Sequence, residues 1–144
     1  MKATELMVGD WVCLKDDIKY ELPLKVDGVL TDDISIEGDG FLGGVDGLIR
    51  PIPITPEILE KNEFHLELSS NEKNVYSHID RGTGDCTPII FLSMEQKDWR
   101  FLVTNHILKR RLEFIIFHDT LYVHQLQQVL RLAGMTELAN NFKV

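Results

Sequence analysis

The chain has little of what usually reveals a function. It holds only two cysteines, Cys13 and Cys86, far apart in sequence. A disulfide framework of a secreted domain needs more, so two buried thiols are expected. No apolar run approaches the roughly 20 residues that cross a bilayer, and MKATELMVGDWV at the start lacks an apolar signal core. The expected location is the cytoplasm, with no membrane contact. There is no internal repeat and no low-complexity run.

The familiar catalytic and ligand motifs are missing too. Gly38-Asp-Gly-Phe-Leu-Gly-Gly44 fits no dinucleotide fingerprint and precedes no helix pattern, and there is no Gly-Lys-Ser/Thr for a phosphate loop. Its acidic residues do not fall at calcium-loop positions. It is expected to be a loop or wide hairpin. His65, His78, His106, His118 and His124 form no HExxH, and Ser69, Ser70, Ser77 and Ser93 stand in no nucleophile elbow. No catalytic residue, metal ligand or cofactor is assigned.

What is present is a foldable chain. Its 144 residues are 44% hydrophobic and 26% charged, enough for a core without metal or disulfide. The net charge of −8 is uneven: residues 1–54 carry five basic and eleven acidic residues, residues 55–144 ten and twelve. Such a balance disfavours nucleic acid, whose phosphates it repels. Short apolar runs broken by turn residues give the first half four or five strands, with Asp27-Gly28 as a two-residue turn. The expected fold class is α+β: a small β-barrel-like, SH3-like subdomain over 1–54, a short connecting helix over 55–63, and over 64–144 an antiparallel sheet covered by a C-terminal helix. Thr55 caps the connecting helix with Pro56 at its first position, and Asn62 ends it. In Tyr122 to Ala133 the residues Val123, Leu126, Leu130 and Ala133 make the buried face; His124, Gln125, Gln128 and Arg131 make the opposite, exposed one. Gly134 closes this helix.

Two surfaces remain as candidates. Lys109-Arg110-Arg111 is the one dense basic patch; it offers a partner or phosphate contact, and it also guards the LEFIIF strand against edge pairing. His124, Gln125 and Gln128 offer a polar helix face. His118, Asp119 and His124 carry the chemistry of a zinc or iron site should they converge. Trp11 and Tyr20 suit either an aromatic groove for a peptide or packing against the second half.

Three segments carry a resemblance. MKATELMVGDWV, the junction IRPIPITPEILEKNEF and the run Tyr122-Val-His-Gln-Leu-Gln127 together resemble a family of small uncharacterised proteins of gut Bacteroides-type bacteria, their phages and mobile elements. The resemblance covers about a third of the chain and implies a genomic neighbourhood, not a chemistry or a set of site residues. The favoured function is a non-enzymatic accessory or protein-interaction protein of phage or mobile-element origin, with an unidentified protein partner. Two alternatives stay open: a nucleic-acid-binding module, and a small hydrolase or metal enzyme whose site is assembled from distant residues.

Overall fold

The structure, a computed structural model, describes residues 2–14, 23–31, 33–38, 40–42, 49–71, 73–78, 86–93, 98–105, 109–116 and 120–144. It is a mixed α+β fold of two antiparallel sheets and a few short helices.

After a 3-10 turn at Ala3–Glu5, the first sheet is built from β1 (Trp11–Leu14), β2 (Pro23–Val29), β3 (Ile34–Ile36), β4 (Gly40–Leu42) and β5 (Ile49–Pro51). Their order is β4-β3-β2-β1-β5, and among the described residues the sheet is not closed into a barrel. Ala3, Leu6, Val12, Val26, Ile34, Ile36 and Ile49 fill its core. Asp27-Gly28 is not a turn. β2 runs through it, and a register shift between Val26 and Gly28 absorbs the extra residue as a bulge. The chain reverses four residues later, where the Leu30 N–H bonds the Asp33 carbonyl at 2.8 Å. The glycine-rich segment supplies β4, whose Gly40 lies opposite Ile36; its residues 39, 43 and 44 lie outside the described set.

The junction is as the sequence leads one to expect. Helix α1 (Pro56–Lys61) starts on Thr55, whose hydroxyl accepts from the Ile58 N–H, and is C-capped by Asn62. The prolines before it do not make a loose linker. Ile54 N–H bonds the Leu121 carbonyl at 2.8 Å, Val123 N–H bonds the Ile52 carbonyl at 2.9 Å, and Pro53 pairs with Tyr122. Ile52 and Ile54 alternate inward from this extended segment, into the second core.

The second sheet is a meander, β6 (Phe64–Ser69), β7 (Lys73–His78), β8 (Cys86–Ser93), β9 (Asp98–Asn105) and β10 (Arg110–Ile116), in the order β10-β9-β8-β7-β6. Helix α2 (Val123–Leu132) lies over one face of it. Phe64, Tyr76, Trp99, Phe101 and Val103 from the sheet meet Val123, Leu126, Val129, Leu130 and Ala133 in one core. Gly134, at φ +84°, ends α2 in a Schellman motif: Met135 N–H reaches the Leu130 carbonyl and Gly134 N–H the Arg131 carbonyl. A short α3 (Thr136–Asn140) follows. Among the described residues no helix is long and apolar enough to cross a membrane.

Candidate functional site

The polar side of α2 is where the sequence expectation and the structure part company. At about 100° per residue, Gln127 and Arg131 follow Val123 around the helix and His124 and Gln128 follow them. That arc packs against the N-terminal segment of the first sheet. His124 is 6% exposed and Gln127 fully buried. The outward direction belongs to Leu132, which is 71% exposed. The exposed polar face expected from His124, Gln125 and Gln128 is therefore corrected for His124 and Gln128, which turn to this chain's own N-terminal segment, while Gln125 stays half-buried beside Leu132.

The contacts are specific. Gln127 donates to the carbonyls of Gly9 and Ala139 at 2.9 and 2.8 Å, and its oxygen accepts from Trp11 N–H at 3.0 Å. One carboxamide thus satisfies three backbone groups from two elements. Asp10, wholly buried, accepts from Met7 N–H and Gln128 Nε2 and forms an ion pair with Arg131. Gln128 also donates to the Glu5 carbonyl. Gln125 turns back to accept from Tyr122 N–H, a helix-start bond. Gly9 has φ +90°, a backbone conformation that calls for glycine, and a Cβ there would stand 2.9 Å from Arg131 Nη2, whose guanidinium would have to shift.

Two groups in this junction are buried with an unpaired atom among the described residues: His124 Nδ1 and Arg131 Nη2. The His124 ring stacks on Tyr122 at 6.0 Å between centroids. Burial holds its pKa below the usual imidazole value, against an opposing pull from Asp10 and Glu5. His118 and Asp119, the other members of the candidate metal set, lie outside the described residues. Among the described residues no three metal-ligating side chains cluster.

Cys13 is buried, and burial pushes its thiol pKa up, with Arg50 opposing. A neutral thiol of that kind is a packing group rather than a nucleophile. Trp11 takes the packing role: it joins the second core and donates its indole N–H to the Phe142 carbonyl at 2.7 Å. Beside it an open groove is lined by Trp11, Pro23, Lys61, Lys143 and Val144. Tyr20 is outside the described residues.

The basic patch sits elsewhere. Lys109, exposed and at φ +49°, leads into β10, and Arg110 and Arg111 are the first residues of that edge strand. Arg111 is exposed, as are Leu112 and Ile115, at 42% and 41%.

The three segments that carry the family resemblance converge here. Gly9-Asp-Trp, Ile52-Pro-Ile54 and Tyr122 to Gln127 are bonded to one another around α2. No family model matches the chain, and no curated protein or solved structure is significantly similar to it. The cluster joins two sheets through buried hydrogen bonds. β10 is an edge strand of the second sheet, and Arg111 and Glu113 on it are exposed. Gln127 was the residue that sequence reasoning missed; its position about 40° from Val123, beside the apolar arc, was the available signal.

Proposed function

We propose that this chain is a non-enzymatic accessory protein that acts by contacting another protein through the β10 edge of its second sheet. One observation carries this: the two edges of that sheet are built differently. β6 pairs with β7 through a register shift between Leu66 and Leu68. A bulge of that kind blunts an edge. β10 pairs with β9 without a break, from Arg110 opposite Asn105 to Ile116 opposite Trp99. Every second residue of such a strand turns its N–H and C=O away from the sheet, free for an added strand. Lys109, Arg111, Leu112 and Ile115 are exposed along it. The chain stays acidic overall, which makes this basic stretch the place where an acidic partner surface would be steered.

The proposal extends to fold and origin. The order β4-β3-β2-β1-β5 supports an SH3-like arrangement of the first half. A phage or mobile-element origin and a cytoplasmic accessory role are part of the proposal, and they rest on the sequence resemblance alone.

The test is a pull-down from the native host with the chain and with a Lys109→Glu/Arg111→Glu variant. The expected result is a specific partner that the variant loses while its thermal midpoint is unchanged. A partner retained by the variant would overturn the assignment to β10. Lys109 and Arg111, both exposed and two residues apart, favour one second reading, contact with nucleic acid. A salt-dependent shift of short DNA or RNA would support it, and no shift at about 50 mM salt would remove it.

A further inference from the structure

We infer that the strand added to β10 is β10 of a second copy, in an antiparallel two-fold pairing centred on Leu112. The inference rests on the contact reading above and names its partner. In a two-fold antiparallel ladder one residue lies opposite its own copy, and positions equally far before and after it face each other. The charge pattern of Arg110-Arg-Leu-Glu-Phe-Ile-Ile116 then selects the centre. A centre at Arg111 sets guanidinium against guanidinium, and one at Glu113 sets carboxylate against carboxylate; directly opposed like charges are destabilising. A centre at Phe114 places Glu113 against the partner's Ile115, with no cation to meet it. Only the centre at Leu112 places Arg111 opposite the partner's Glu113 and, by symmetry, Glu113 opposite the partner's Arg111. Leu112, 42% exposed, then meets the partner's Leu112.

The side chains are placed for this. Arg111 and Glu113 are both exposed and two residues apart, so they share the sheet face opposite α2, while Phe114 packs into the core on the other side. Among the described residues neither is in an ion pair. Pairing would fuse two five-stranded sheets into one and cover two unblunted edges at once. A contact made by one short strand from each copy falls at the low end of interface sizes, so the dimer is expected to be concentration-dependent.

Sedimentation of the full chain from micromolar to near-millimolar concentration tests it, with Arg111→Glu, Glu113→Arg and the double swap. Each single change turns both cross-strand pairs from attraction to repulsion and is expected to weaken the dimer about tenfold or more. The double swap restores opposite charges and is expected to recover it. Both positions are exposed, and unchanged thermal midpoints would show that the variants fold. A chain monomeric throughout, or a dimer indifferent to the swaps, would overturn the inference. A host partner captured by such a monomer, and lost with Lys109→Glu/Arg111→Glu, would leave the contact reading standing without it.

Discussion

Helix α2 has two buried faces, and they are held in opposite ways. One meets the second sheet through Val123, Leu126, Leu130 and Ala133, where area removed from water supplies the attraction. The other meets the first sheet through Gln127, Gln128 and the Asp10–Arg131 pair, where the contact is a set of directed bonds. The difference is one of tolerance. An apolar face accepts some change of shape, at the cost of the area or cavity concerned. A polar buried face is close to all-or-none, since each group left without its partner keeps its full desolvation penalty.

The largest test of that contrast is Asp10→Ala. It removes the carboxylate from a wholly buried site and strands Arg131, whose side chain is only 12% exposed. Breaking a buried pair from one side costs about 3–5 kcal/mol. Urea unfolding near neutral pH should show a loss of that size, and adding Arg131→Met should recover part of it. A loss below about 1 kcal/mol would mean that the polar face is wet and loosely held.

Next in size is Leu130→Ala on the apolar face. Leu130 is fully buried between helix and sheet. Its truncation should cost about 3 kcal/mol, with no second substitution in the polar junction able to compensate. Compensation across α2 would show that the two faces do not act independently.

The same contrast explains what could be read beforehand. The apolar stripe of α2, the Thr55-Pro56 helix start, the Gly134 stop and an antiparallel second sheet follow from period, caps and turn residues, all local signals. The polar face does not, because Gln127 facing a backbone carbonyl and a glutamine facing water look alike in one dimension. Its partners Gly9 and Trp11 are more than a hundred residues away. Asp27-Gly28 misled for a related reason: the dipeptide favours a turn, but Val26 and Val29 on either side are held in the strand by pairing with Ile36 and Ile34, and a bulge takes up the difference. The candidate surface divided along the same line. Lys109 and Arg111 stay outside because a charged edge needs solvent, whereas His124 and Gln128 turned inward to a partner the sequence does not mark.

The smallest expected effect concerns pH and the polar face alone. His124 is buried, and burial lowers its folded-state pKa below the value of about 6.5 that an exposed imidazole has. Above that value both folded and unfolded chains carry the neutral ring, and His124 adds no pH dependence. As the pH falls through it, the unfolded chain takes up a proton that the folded chain resists, so stability declines, levelling off once the folded pKa is passed. Asp10 and Glu5 nearby temper the decline without reversing it, because burial is the larger influence. Unfolding free energies measured downward from pH 7 should therefore slope in the wild type and flatten in His124→Leu over the same window. Equal slopes would mean that protonation at His124 is accommodated in the folded chain. The apolar face of α2 would then still hold the helix in place, and the polar face would be the more adaptable of the two.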